Sequence, residues 1–125
     1  MVKIVLPWRP LTKNNKYRRG RHGRIYLDPA YREWEDACVL WANIHHGNVF
    51  FPGRVRVKVD CYFSGRGRVG DEDNYLKSLG DILKLSGLIQ DDRYIHWGEV
   101  NLLKGEPQRA EITIEKLEGI NGQTP

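Results

Sequence analysis

Alternating or helically spaced hydrophobic residues recur along most of the chain, and their spacing predicts seven elements of secondary structure. Between Arg54 and Phe63 every second residue is apolar and most of the others are charged, which is typical of a half-buried strand. In chain order, the predicted elements are strands at Lys3–Leu6 and Arg24–Leu27, a helix that begins after Asp28 and ends near His46-Gly47, a strand at Arg54–Phe63, a helix that ends at Gly87, and strands at Tyr94–Leu103 and Arg109–Leu117.

This order of elements predicts an α+β, or mixed α/β, domain in which two helices pack on a sheet of about four to five strands. The last two strands are joined around Gly105-Glu106-Pro107, and the short connection predicts a hairpin. A chain of 125 residues is one domain on its length alone. We expect that domain to cover residues 1–117, with a flexible C-terminal tail at residues 118–125.

The stretch Gly70–Asp92 is predicted to form one amphipathic helix with acidic residues near both ends. Three leucines at helical spacing give the helix a buried stripe, and Gly87 is a typical residue to end it. Two acids stand at its N-terminal boundary, and two more follow after the chain has turned back. The leucines are Leu76, Leu79 and Leu83, and the acids are Asp71, Asp73, Asp91 and Asp92.

Three of these acids, Asp71, Asp73 and Asp92, are candidate metal ligands. Carboxylates crowded at one point raise one another's pKa, and a divalent cation removes that cost. Ligands that are all oxygen suit Mg²⁺ or Mn²⁺, with water and a substrate phosphate completing the coordination. Because the helix is about 20 Å long, Asp92 reaches the other two only if the return segment runs back beside the helix or the next strand crosses its N-terminal end.

Each part of this pattern also has a plain structural interpretation. Asp71 and Asp73 could be an N-cap and a solvated acid, and Asp91-Asp92 could be a turn. Lys77 lies four residues after Asp73 and four before Asp81, which is the spacing of ordinary ion pairs on a helix surface.

Basic residues are concentrated at the start of the chain, although the formal net charge is only +4. Residues 1–27 contain eight lysines or arginines and no acid, which predicts a polyanion-binding segment; a solvated basic loop is the alternative. Within it, Pro7–Gly23 shows neither helical nor strand spacing, so we expect a long functional loop. Trp8 and Tyr17 lie among the bases and suit contact with unstacked nucleotides, although Trp8 could equally anchor the loop in the core.

Composition excludes several other classes of protein. No apolar run approaches the roughly 18 residues of a membrane span, and the first residues are too few for the apolar part of a signal peptide. Cys38 and Cys61 have neither a disulfide framework nor the spacing of zinc ligands, so we expect two buried free thiols.

Two motifs resemble the signature of the RusA family of Holliday-junction resolvases. The first is Asp-x-Asp-Asn-x-x-Lys-x-x-x-Asp-x-Leu, then a glycine and Asp-Asp, and it runs from Asp71 to Asp92. The second is Leu6-Pro7-Trp8-Arg9-Pro10, followed by Asn14-Asn15-Lys16-Tyr17. The matches span most of residues 4–117. The chain departs from the family at Arg9, where a second consecutive proline is usual, and in a loop one residue longer before Asn14.

The resemblance implies an Mg²⁺-dependent endodeoxyribonuclease, with Mn²⁺ as an alternative metal, that resolves Holliday junctions by paired phosphodiester hydrolysis in DNA recombination and repair. It also implies a RusA-like fold, a symmetric homodimer, and products with a 5′-phosphate and a 3′-hydroxyl. Small resolvases of this family are often carried by prophages. We therefore expect a cytoplasmic, nucleoid-associated protein of a bacterial or phage-infected cell, with no membrane partner.

By the same resemblance, four positions match the functional residues of the family, and the three acids among them are the metal ligands. Asp81 is expected to support them by orienting Lys77, and Asp91 by standing beside Asp92. The four positions are Asp71, Asp73, Lys77 and Asp92. The residues expected to contact DNA are Lys13, Asn14, Asn15, Lys16, Tyr17, Arg18, Arg19, Arg21, Arg24, Arg66 and Arg68.

Two other functions compete with this hypothesis. The chain could be a non-catalytic protein that binds branched DNA, with its acids serving as helix caps, but capping requires neither Lys77 nor Asp92. It could also be a different Mg²⁺ enzyme whose Asp-x-Asp pair holds a nucleotide diphosphate. The absence of a glycine-rich nucleotide loop on a βαβ unit weakens that alternative.

Overall fold

The structure is a computed structural model that describes residues 1–65 and 70–117. The described residues form six strands and two helices, joined by short 3₁₀ turns. The strands are β1 (Val2–Leu6), β2 (Tyr17–Arg19), β3 (Ile25–Leu27), β4 (Val55–Phe63), β5 (Ile95–Lys104) and β6 (Arg109–Lys116), and the helices are α1 (Pro29–His46) and α2 (Glu72–Leu85). The expected tail at residues 118–125 lies outside the described residues, as do Arg66 and Arg68.

Four strands form one mixed sheet in the order β1-β6-β4-β5. Strand β4 is antiparallel to β6 and parallel to β5, and α2 lies in the connection between the two parallel strands. Strands β2 and β3 form a separate two-stranded sheet. The predicted α+β class is confirmed, with a main sheet at the lower end of the expected size.

Strand β4 lies inside the sheet because its apolar residues alternate without a break. Its inward side chains, from Val55 to Phe63, are at most 3% exposed, whereas Arg56 and Lys58 on the other face are exposed. The inward residues join one hydrophobic core with the apolar faces of both helices. The helices therefore cover one face of the sheet, and the charged face is left open among the described residues.

The predicted hairpin between the last two strands is wrong. Strands β5 and β6 do not pair with each other, because β4 lies between them. The connection crosses the end of β4 instead: the amide of Gly105 donates to the carbonyl of Phe63 at 3.0 Å. A Cβ at position 105 would lie 2.9 Å from Cδ1 of Tyr62, so only glycine passes there without a shift of the tyrosine ring.

The predicted long loop at Pro7–Gly23 contains a strand that its spacing did not indicate. Tyr17–Arg19 pairs with Ile25–Leu27, and none of these six residues is buried. The predicted strand at Arg24–Leu27 exists, shortened by one residue, but it does not join the main sheet. Alternation reports the burial of one face, so a hairpin with both faces exposed carries little of that signal.

Both helices begin and end as predicted. The Asp28 side chain caps α1 by accepting from the amides of Ala30 at 2.8 Å and Tyr31 at 3.2 Å. At the end of α2, Gly87 has φ +79° and donates to the carbonyl of Lys84, and the next amide donates to the carbonyl of Leu83. This pair of bonds satisfies the last carbonyls of the helix and turns the chain back.

Two further predictions concern burial and membranes. Cys38 and Cys61 are free and fully buried, as predicted. Across residues 1–65 and 70–117, the structure has no helix that is both long enough and apolar enough to cross a membrane.

Candidate active site

One face of α2 lines a cavity of about 240 Å³. The helix contributes residues at positions i, i+3, i+4 and i+7, the spacing that places side chains on one face. The remaining lining comes from the segment that returns after the helix and from the start of β5. The lining residues are Asp73, Leu76, Lys77, Gly80, Asp92 and Trp97.

The returning chain lies directly on the helix at Gly80. A Cβ at this position would meet Cζ2 of Trp97 at 3.5 Å, and Cβ of Asp92 at 3.8 Å. Asp92 therefore packs at the level of Gly80, two helical turns or about 10 Å along the axis from Asp73. The return segment does run back beside the helix, and it brings Asp92 to the same cavity as Asp73.

Buried contacts fix the course of the return segment. Leu88 and Ile89 are at most 2% exposed, and Ile89 forms an isolated parallel bridge with Phe51. The amide of Phe51 donates to the carbonyl of Leu88 at 2.8 Å. These contacts hold the chain just before Asp91 and Asp92, so the position of Asp92 does not depend on an exposed loop.

The two adjacent acids occupy different places. Asp91 caps a 3₁₀ turn, and its carboxylate accepts from the amide of Arg93 at 3.1 Å. That backbone bond, with contact to the Asp92 carboxyl, lowers the pKa of Asp91 below its ordinary value. Lys84 also lies 3.8 Å from the Asp91 carboxylate. Asp92, by contrast, is exposed and lines the cavity.

Asp71 does not line the cavity. It is the N-cap residue of α2, in an extended conformation with ψ 143°, and its side chain makes no capping hydrogen bond. Because the backbone leaves the helix at this point, Asp71 does not share the helical face that carries Asp73 and Lys77. Within the described ranges, no three Asp, Glu, His or Cys side chains lie close enough to hold a metal ion. The three-acid site remains a prediction.

Asp81 pairs with the N-terminal segment instead of Lys77. Its Oδ2 lies 2.8 Å from Nζ of Lys13, and the described residues show no ion pair between Asp81 and Lys77. The expected role of orienting Lys77 stays a prediction, but the ion-pair partner of Asp81 is Lys13. The physical reason is the position of the preceding loop: the buried Ser78 hydroxyl donates to the carbonyl of Leu11 at 2.6 Å. This bond places Lys13 beside Asp81, one turn further along α2.

Lys13 lies in the electrostatic field of the cavity as well. Its pKa is raised above the ordinary value, mainly by the hydrogen bond to Asp81 and further by the charges of Asp81 and Asp92. Sequence reasoning grouped Lys13 with the basic segment and did not foresee this neighbour. Gly80, Ser78 and Trp97 were also missed, because nothing in their local pattern distinguishes them from ordinary packing residues.

Of the other residues expected to contact DNA, those that the structure describes fall into two groups. Asn14 and Asn15 follow Lys13 in a 3₁₀ turn beside α2, and Lys16 lies 4.0 Å from Glu35. The second group lies on β2 or in its connection to β3, and every member is exposed. That group is Tyr17, Arg18, Arg19, Arg21 and Arg24.

Trp8 is an anchor of the N-terminal segment. Its ring meets the ring of Trp41 on α1 edge to face, with centroids 5.7 Å apart. The ring is still 37% exposed. Of the two interpretations of Trp8, the structure favours packing.

Two acids and a lysine line the cavity, and the basic segment beside it continues into an exposed hairpin. Acids that can hold a metal ion, next to positive charge that attracts a polyanion, are typical of an enzyme that cuts a nucleic acid backbone. A family profile described as "Endodeoxyribonuclease RusA" matches residues 7–115. The chain therefore belongs to the RusA family, whose members are endodeoxyribonucleases that hydrolyse DNA phosphodiester bonds and resolve Holliday junctions.

A curated relative gives the same result. The "Crossover junction endodeoxyribonuclease RusA" of Aquifex aeolicus is 27% identical to this chain over 116 residues. The match covers 93% of this chain and 90% of the relative. The resemblance inferred from the two sequence motifs is confirmed.

Proposed function

We propose that this endodeoxyribonuclease cuts DNA at the cavity between α2 and the return segment. The observation that carries the proposal is the convergence of Asp73, Lys77 and Asp92 on one cavity, although nineteen positions separate the first acid from the last. All three side chains are exposed, so a phosphate can approach them. Trp97 and Gly80 form a wall that carries no charge.

The donor set suits a hard divalent cation. Magnesium is commonly held by one or two carboxylates, with water and phosphate oxygens completing its octahedron. Asp73 and Asp92 each supply such a carboxylate, at opposite ends of the cavity, and Asp71 at the N-cap beside Asp73 is the third candidate. Bound Mg²⁺, or Mn²⁺ in its place, would polarise the phosphoryl oxygen and lower the pKa of the attacking water.

Lys77 is the cationic residue of the cavity. In the described part of the chain it forms no ion pair with an acid, and Asp81, four residues further on, is paired with Lys13. A lysine that is not neutralised within the protein can stabilise negative charge that develops on the phosphoryl group during hydrolysis. We assign Lys77 this role, with Asp73 and Asp92 as acids that would hold the divalent cation, which in turn would bind the phosphate.

The remaining assignments concern DNA and assembly. Lys13, Asn14, Asn15 and Lys16 would contact the backbone near the cut, and the basic hairpin residues would contact it further away. A four-way junction has two opposed strands to be cut, which suits a symmetric homodimer with one cavity in each subunit. Because the substrate is branched DNA, we place the protein in the cytoplasm of a bacterial or phage-infected cell, at the nucleoid.

The test is cleavage of a synthetic four-way junction in Mg²⁺, and separately in Mn²⁺, with a matched linear duplex as the control substrate. Asp73→Asn, Asp92→Asn and Lys77→Met should lose paired cutting while they still bind the junction. Glu115→Gln is the matched control, because this acid lies on the open face of the sheet beside Arg56.

Cleavage that persists in Asp73→Asn and Asp92→Asn would place the active site elsewhere. A wild-type protein that binds junctions but cuts in neither metal would be a binding protein with structural acids. Full activity of Asp71→Asn would remove only that residue from the set of metal ligands.

A further inference from the structure

The hairpin formed by β2 and β3 is an arm whose residues are almost all exposed. The three pairs across it are Tyr17 with Leu27, Arg18 with Tyr26, and Arg19 with Ile25. Its strands are three residues long, and the tip turns through His22 and Gly23, both with positive φ. Two strands of this length have no core of their own and are marginally stable without a partner.

The two faces of the arm differ in chemistry. Side chains of directly paired residues lie on the same face of a hairpin. One face therefore carries Tyr17, Leu27, Arg19 and Ile25, and the other carries Arg18 and Tyr26. The apolar members of the first face are well exposed: Tyr17 by 56%, Ile25 by 63% and Leu27 by 41%.

The second face is the one tied to the body of the protein. The guanidinium of Arg18 bonds the carboxylate of Asp28, the N-cap of α1. The Asp28 amide donates to the carbonyl of Lys16 at 2.7 Å, just before β2 begins. The base of the arm is therefore held at α1. On the other face Tyr17 and Ile25 are open in the described structure, and Leu27 borders a cavity that it shares with Tyr31 and Glu35 of α1.

Charge decides which partner suits this open face. Residues 17–27 carry four arginines and no acid. A second copy of the arm packed face to face would bring two such sets of positive charge together. Nucleic acid is a polyanion and attracts the same set. Intact duplex keeps its base faces stacked, whereas the crossing point of a junction offers base faces that apolar and aromatic side chains can cover.

We propose that the apolar face of the arm, formed by Tyr17, Ile25 and Leu27, packs against unstacked bases at the branch point, with the arginines of the arm on the flanking phosphates. The arm would thus be the element that distinguishes a junction from a linear duplex. This inference rests on the proposed function, since it takes branched DNA as the substrate.

The test uses the full chain carrying Asp73→Asn, without Mg²⁺, so that binding is measured apart from cutting. The probe is a junction with 2-aminopurine at the branch point, compared with one labelled in the middle of an arm. The test variant is Ile25→Ser with Leu27→Ser, which leaves every arginine in place. The control is Leu40→Ser with Ile44→Ser, which removes two aliphatic side chains that are 60% and 67% exposed on α1.

We expect the Asp73→Asn protein, and the Leu40/Ile44 control made in it, to change the fluorescence of the label at the branch point. Neither should change the fluorescence of the label in the middle of a DNA arm. The Ile25/Leu27 variant should lose that change and bind the junction about tenfold more weakly, which is the scale of one aliphatic side chain that is no longer buried. Its affinity for linear duplex should stay within about twofold. Because both side chains are exposed, its unfolding midpoint should match that of the control.

Three results would overturn the inference. The first is an unchanged branch-point signal in the Ile25/Leu27 variant, and the second is an equal loss of affinity for junction and duplex. The third is a change of oligomeric state in sedimentation, which would make the face a contact between subunits. Failure of the proposed active site gives a different result. The differences in binding are measured without cutting, so they persist whether or not the wild-type protein cuts DNA at the proposed cavity.

Discussion

The ammonium of Lys13 lies 2.8 Å from the Asp81 carboxylate, and this ion pair joins the N-terminal segment to the helix that carries Asp73 and Lys77. The bond from Ser78 to the carbonyl of Leu11 fastens the same loop one turn earlier on α2. Two contacts thus fix the segment expected to bind DNA against the helix expected to cut it. A phosphate held by the segment is thereby positioned relative to the cavity.

Breaking this ion pair should slow cutting more than it weakens binding. The pair is partly exposed, with side chains 40% and 18% accessible, so its contribution to stability is about 1 kcal/mol or less. Lys13→Met and Asp81→Asn should each reduce the single-turnover cleavage rate about five- to tenfold, the equivalent of about 1–1.4 kcal/mol of lost positioning. Lys13→Arg should retain most of the rate.

Lys3→Met is the matched control, because Lys3 forms a 3.0 Å pair with Glu111 between β1 and β6, away from the cavity. Cleavage rates and junction affinities are measured for all four variants. Equal losses in Lys3→Met and Lys13→Met would mean that the pair with Asp81 has no special role.

Two substitutions at Gly80 should have opposite consequences. Alanine places a Cβ in ordinary contact with Trp97, 3.5 Å away, and removes a glycine from a helix interior. Gly80→Ala should therefore stabilise the fold by about 0.5–1 kcal/mol and keep its activity. Gly80→Leu should fill the cavity and abolish cutting. Urea unfolding and junction cleavage check both, and an active Gly80→Leu would show that this cavity does not take the substrate.

The two cysteines should be inert in the folded protein. Burial raises the pKa of both the Cys38 and the Cys61 thiol to about 12, and neither is exposed. Because the thiolate is the reactive form, a chromogenic disulfide reagent should react only as fast as the protein unfolds. Addition of urea should therefore release both thiols in one cooperative step. A fast reaction of one thiol in native buffer would contradict this expectation.

The pair between Arg18 and Asp28 should make stability depend on pH. The hydrogen bond from Arg18 lowers the pKa of Asp28 below its ordinary 3.8, with smaller help from the amides of Tyr31 and Ala30. A depressed folded-state pKa stabilises the protein above the unfolded value, and this stabilisation is lost as pH falls through the folded value. Asp28→Asn keeps a side chain suited to capping but removes the charge.

We therefore expect Asp28→Asn to be less stable than wild type at neutral pH, and the difference to shrink as pH falls below 3.8. Urea unfolding across that range measures it. A difference that stays constant with pH would show that capping geometry, and not the charge pair, accounts for the effect.

Local patterns in the sequence were sufficient for both helices, for five of the six strands and for most of the cavity. Asp28-Pro29 marked the start of α1, and Gly87 marked the end of α2, because both signals depend only on neighbouring backbone. The helical spacing of Asp73 and Lys77 placed them on one face. Asp92 joins them only because the return segment runs back beside the helix. The spacing of residues showed that this was required, but it did not show that the chain does so.

The differences between expectation and structure all concern contacts between distant parts of the chain. Strands at 94–103 and 109–117 were joined in a hairpin because they are neighbours in sequence, whereas β4 is the better partner for both. Asp81 was assigned to Lys77, which is four residues away, whereas Lys13 reaches it through tertiary packing. The exposed strand Tyr17–Arg19 gave no alternation to detect. Local spacing carries no information on any of these three.

The parallel pairing of β4 with β5 also has a consequence for how the protein is made. Parallel strands cannot join through a tight turn, so the whole connection through α2 must be synthesised and closed before they pair. Asp73, Lys77 and Asp92 all lie inside that connection, whereas the basic arm and α1 precede it in the chain. A nascent chain therefore exposes its basic segment before the proposed cleavage cavity is assembled, and that cavity is complete only when β5 docks on β4.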